Sequence, residues 1–86
     1  MKPGEAKINP RLAEALRGSG LALFGPGYRT ELARLLAVNP RVIRRWEAKQ
    51  APIPINVAHE VRAAVRERQK TLDQLLADMD RELLGK

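Results

Sequence analysis

The sequence predicts an all-α fold, a small helix-turn-helix bundle followed by a long C-terminal amphipathic helix. Three observations carry that expectation. Ala, Leu, Arg and Glu, all strong helix formers, dominate an 86-residue chain that is 44% apolar and holds only three aromatics. The dipeptide Asn-Pro occurs twice, at residues 9–10 and 39–40. In each, Asn can cap a first helical turn and Pro tolerates the first helical position, where its missing N–H costs nothing. Finally, only Ala37, Val38 and Asn39 separate two helical patterns, and so short a connection forces a sharp turn between neighbouring helices.

The elements follow in order. Residues 1–8 lack periodicity and contain Pro3, Gly4 and two lysines, which reads as a flexible arm. Residues 9–55 form the helix-turn-helix domain. Its first helix starts at Asn9-Pro10 and places Leu12, Ala13 and Leu16 on one face. Gly18-Ser19-Gly20 weakens it after about Arg17, and Ser19 is a possible cap for a second short segment, Leu21 to Phe24, so one bent helix and two helices both remain open. Gly25-Pro26-Gly27 is a stop. Thr30 is placed to cap Glu31 to Leu36, with Glu31 near the positive end of the helix dipole. Asn39-Pro40 opens the next helix, Arg41 to Lys49, which ends before Ala51-Pro52-Ile53-Pro54.

From Asn56 to the end, residues 56–86, a long amphipathic stretch carries Ala58, Val61, Val65, Arg68, Leu72, Leu75 and Met79 at alternating spacings of three and four. This is a seam of coiled-coil type with one charged interruption. Thr71 and Gln74 have the spacing of a capping box, so a break near Lys70 is also open. The stretch is read as a dimerisation element, with folding back over its own domain as the alternative.

Arg29 to Ala48 is the segment that carries function. Leu32, Ala33 and Leu36 share a face of the first helix, Val38 sits in the turn, and Ile43 and Trp46 share a face of the second. A crossing pair of helices needs such a set: one small residue, Ala33, where backbones approach, and larger apolar ones around it. With Ile43 and Trp46 inward, Arg41, Arg44 and Arg45 must project outward.

In the run from Thr30 through Leu32-Ala33-Arg34, Ala37-Val38-Asn39-Pro40 and Ile43-Arg44-Arg45-Trp46 to Glu47, the chain resembles the helix-turn-helix of the Cro/repressor-like (XRE) DNA-binding regulators. It departs from them at Ala37, where that family usually has Gly in a left-handed conformation. The resemblance implies that the second helix is a recognition helix entering the major groove. Arg44 and Arg45 are then the expected base readers, since a guanidinium matches guanine O6 and N7 in a bidentate pair. Arg41 and Asn39 reach a base or a phosphate, and Arg29, Thr30, Lys49 and Gln50 serve the DNA backbone. The competing reading of the arginines is an ordinary solvated helix face.

Charge supports an anion-binding centre. Net charge is +6 overall, and by region it is +2 over residues 1–27, +4 over 28–50, +2 over 51–70 and −2 over 71–86. The absence of cysteine removes disulfides, thiolate metal ligands and Cys nucleophiles together and fits a reducing cytoplasm. The single His59 has no second ligand at metal spacing, Trp46 is in helical phase with Ile43 and belongs to the core, and Tyr28 reads as packing or a phosphate contact. With no convergent acid, base or metal set, neither an enzyme nor a bound cofactor is expected. No apolar run approaches the about 20 residues of a membrane helix, so a cytoplasmic protein without membrane contact is expected. The expected partners are double-stranded DNA and a second copy of the chain on an inverted repeat, acting as a repressor or autoregulator. Alternatives are an antitoxin whose last helix holds a toxin, and a basic module that binds another protein.

Overall fold

A computed structural model describes residues 7–85 and contains four helices: α1 (Pro10–Phe24), α2 (Tyr28–Leu36), α3 (Pro40–Glu47) and α4 (Ile55–Leu84). The expected arm falls for its first six residues outside the described residues; Lys7 and Ile8 are non-helical. Both Asn-Pro starts act as read from the sequence. The Asn9 side chain accepts from the backbone N–H groups of Arg11 and Leu12, at 3.0 and 3.1 Å, and Asn39 accepts from that of Arg41 at 2.9 Å. Each thereby satisfies donors that a helix start leaves unpaired.

The alternative of two helices over residues 10–24 resolves to one, because Gly20 is buried against α2 and Ser19 starts no new turn. A Cβ added at Gly20 would fall within 2.9 Å of Tyr28 Cγ and 2.8 Å of Cε2, and closer still to Cδ2. The glycine that weakens the helix locally is therefore the one that lets the Tyr28 ring lie on the α1 backbone. At Gly18 no such neighbour exists.

That contact also corrects the expected start of α2. The helix begins at Tyr28 with Gly27 at its cap, three residues before Glu31, and Thr30 lies inside the first turn, exposed and making no cap. Burying Tyr28 to 2% exposure recruits it and Arg29 into helical geometry, which outweighs the local preference of Thr for a capping position. Glu31 keeps its place in the first turn and pairs with Arg34 at 3.1 Å.

The turn comprises Ala37, Val38 and Asn39, as expected. Ala37 is left-handed, with φ 55° and ψ 43°, and its N–H and that of Val38 return to Arg34 and Ala33 carbonyls at 3.3 and 2.9 Å. Around the turn, Leu16, Tyr28, Leu32, Ala33, Leu36, Ile43, Trp46, Val57 and Val61 form one buried cluster, with Val38, Val42, Ala51 and Ile53 packed on its edge. Leu32 and Ile43, one from each helix of the motif, are fully buried. Every core position read from the α2–turn–α3 pattern thus lies in this cluster or against it.

α4 is a single thirty-residue helix, so the break near Lys70 does not occur. No Gly or Pro interrupts residues 55–84, and the Thr71 hydroxyl donates to the Glu67 carbonyl at 3.3 Å instead of capping a new turn. The helix starts one residue before Asn56, at Ile55, on an uncapped Pro54. Its first turns bury Val57 and Val61 against the domain, and from Arg66 to its last residue every side chain is exposed. Folding back over the domain is therefore confined to the N-terminal part of the helix. Arg68, the charged interruption of the seam, has a structural explanation: its Nη2 donates to the Leu23 carbonyl at 2.7 Å, in the last turn of α1, where carbonyls lack helical partners. No helix among the described residues is long and apolar enough to cross a membrane.

Candidate nucleic-acid interface

α3 is eight residues long and two-faced. Ile43 and Trp46 are buried and Val42 is half-buried, which fixes the helix about its own axis and leaves Arg41, Arg44 and Arg45 exposed at i, i+3 and i+4. Among the described residues no carboxylate or hydrogen-bond acceptor engages any of these three guanidinium groups, whereas five other basic side chains are salt-bridged. Among the described residues the positive face is thus unneutralised, with planar donors that suit an anion.

Asn39 lies at the leading end of this face. Its Oδ1 accepts one cap hydrogen bond, which fixes the side chain and leaves the amide NH2 as the donor group for an external partner. At the trailing end Lys49 is left-handed, φ 61°, and its Nζ lies 3.4 Å from Glu14 of α1. Gln50 is exposed, and its backbone N–H donates to the Arg45 carbonyl at 2.9 Å. Thr30 is exposed on α2. Of the eight residues singled out, Asn39, Arg41, Arg44 and Arg45 are carried by α3 and its cap, with Lys49 and Gln50 just beyond its end.

Arg29 differs from that expectation. Its Nε donates to Glu47 Oε1 at 2.7 Å, and its guanidinium lies 5.1 Å from the Tyr28 ring centroid. The Tyr28 hydroxyl donates to the other oxygen of the same carboxylate. One end of α2 is thus tied to the last turn of α3 by a three-residue cluster in which Glu47 accepts twice. The hydrogen bond to Glu47, the largest contribution, raises the Arg29 guanidinium further above its ordinary value, and burial followed by the same carboxylate raises the Tyr28 phenol. With Nε occupied, Arg29 retains its terminal nitrogens for a phosphate, but its main role in the free chain is to set the α2–α3 geometry.

Sequence reasoning missed this cluster because its members are 18 and 19 residues apart. A signal existed in Glu47 itself, which follows Ile43 by four residues and therefore falls on the inward stripe of α3, where an acid needs partners. Among the described residues there is no group of three or more His, Cys, Asp or Glu able to hold a metal ion. No family model, curated protein or solved structure matches the chain.

Proposed function

We propose that the protein binds double-stranded DNA in a sequence-specific manner, α3 entering the major groove, and that it regulates transcription as a repressor or autoregulator. The observation that carries the proposal is the exposed Arg41, Arg44 and Arg45, with no acceptor on them among the described residues, on a helix whose opposite face is locked by Ile43 and Trp46. The resemblance of residues 30–47 to Cro/repressor-like regulators supports it, and so does Ala37, left-handed at the turn position where that family usually carries Gly. In this reading Arg44 and Arg45 contact base edges, Arg41 and the Asn39 amide contact a base or phosphate at the leading end, and Thr30, Lys49, Gln50 and the terminal nitrogens of Arg29 contact the DNA backbone. The protein acts in the cytoplasm as a pair of copies on an inverted repeat.

Replacing Arg44 or Arg45 by Ala tests the roles individually. On a preferred duplex each variant loses about 1–3 kcal/mol, roughly 5- to 150-fold, and accepts more bases at one position. Lys49→Ala, a backbone contact, weakens binding evenly across sequences and reduces the salt slope by about one. Unchanged DNA affinity and preference in both arginine variants would assign the basic face to another partner.

A further inference from the structure

We infer that the protein forms a homodimer through α4, with the two α4 helices antiparallel and crossing near Leu72. The proposal deepens the homodimer part of the preceding reading and does not depend on DNA binding. Three observations lead to it.

The first is the apolar stripe itself. Val57 and Val61 bury α4 on its own domain, but Leu72, Leu76, Met79 and Leu83 continue at spacings of three and four, with Leu75 beside them, while 49–76% exposed. A helix projecting alone owes little stability to local propensity, and a stripe of this kind is stabilised by a second helix.

The second is charge, which identifies that helix as another copy and sets its direction. Residues 55–70 of α4 carry four basic and two acidic side chains, net +2, whereas residues 71–84 carry one basic and four acidic, net −3. Parallel pairing sets like halves side by side, Asp73, Asp78, Asp80 and Glu82 against the same acids. Antiparallel pairing sets the acidic half of each copy along Arg62, Arg66 and Lys70 of the other, so the chain is complementary to itself in one orientation only.

The third is a groove of about 300 Å³ beside α4, lined by Leu23, Phe24, Leu35, Ala64 and Arg68. Phe24 and Leu35 are exposed there, 37% and 45%. An antiparallel partner crossing near Leu72 runs its residues 73–84 back past this groove and can fill it with Leu76, Met79 or Leu83. A parallel partner brings its residues 64–71 to this stretch instead, and with them Arg66, Arg68 and Lys70.

The absence of cysteine permits a direct test in the whole protein without DNA. Gln74→Cys and Leu84→Cys, both at exposed positions, are each labelled with a nitroxide, and distances between copies are measured by pulsed electron paramagnetic resonance. At a rise of 1.5 Å per residue, antiparallel helices crossing near Leu72 separate the two copies of residue 74 by about 6 Å along the axis and those of residue 84 by about 36 Å. The expected result is therefore a short distance at 74 and one about 30 Å longer in axial offset at 84. Short distances at both positions mean a parallel pair, which overturns this proposal and leaves the homodimer reading intact. The absence of any distance between copies, with a monomer mass in sedimentation, overturns both and leaves DNA binding by α3 to its own test. A mixed assembly seen only with another protein also overturns the proposal.

Discussion

Gly20→Ala and Gly18→Ala are the same substitution two residues apart in one helix, and they are expected to have opposite signs. At Gly18 a new methyl meets nothing within 4 Å, so the change only removes the backbone-entropy penalty of a helical glycine. It should stabilise the protein by about 0.5–1 kcal/mol. At Gly20 the same gain is opposed by a Cβ inside contact distance of three atoms of the Tyr28 ring. The ring cannot withdraw freely, since it is 2% exposed and its hydroxyl is held by Glu47. Overpacking of this kind costs about 1–3 kcal/mol and here meets a neighbour fixed at both ends, so the upper part of that range applies. The net expectation is a loss of about 1–2 kcal/mol, equivalent to a Tm lower by roughly 4–16 °C in a domain of this size. Thermal and urea unfolding of the two variants, measured side by side, give the comparison. If Gly20→Ala proves as stable as Gly18→Ala, Tyr28 does not lie on the α1 backbone, and the account of how α1 orients α2 is wrong.

The remaining predictions concern the α2–α3 unit. Ala37→Gly relieves a left-handed alanine, φ 55°, and should raise stability by about 1 kcal/mol in urea denaturation, with no change in the m-value. Glu47→Ala strips the Tyr28 hydroxyl and Arg29 Nε of their shared acceptor and should cost about 1–3 kcal/mol by the same measurement. The pH dependence has a definite sign. Burial and then the hydrogen bond to Glu47 raise the Tyr28 phenol above its ordinary 10.0, so above that pH the folded chain binds more protons than the unfolded one. The contribution of Tyr28 is complete below about pH 10 and is lost as pH rises toward the folded value. Tyr28→Phe should therefore lose less stability than the parent between neutral and strongly alkaline pH; identical alkaline profiles would contradict this.

How much of this architecture the sequence reveals depends on the range of the interaction that decides each feature. The caps at Asn9 and Asn39 and the three-residue turn rest on contacts within a few residues, and they are legible. The inward set Leu32, Ala33, Ile43 and Trp46 is legible because helical periodicity sorts side chains without knowledge of what they touch. The start of α2 is not, since it depends on Tyr28 meeting Gly20 of a different helix. Arg29 reads from the sequence as a DNA-backbone contact, because its partner Glu47 lies 18 residues away. Arg68 likewise interrupts an apolar seam for a reason that lies at the end of α1. On α3 the exposed arginines follow from the buried residues alone, so their placement was derivable, whereas their partner is a matter for binding experiments.

The most direct of these is selection of duplexes from a random DNA pool by the whole protein, followed by affinities for selected and scrambled sequences over a salt series. Sequence-specific reading through Arg44 and Arg45 predicts enrichment of a defined half-site and a preference over scrambled DNA of about 10³-fold or more at physiological salt. Equal affinity for every duplex, falling with salt in parallel, would contradict it and reduce α3 to a nonspecific basic surface.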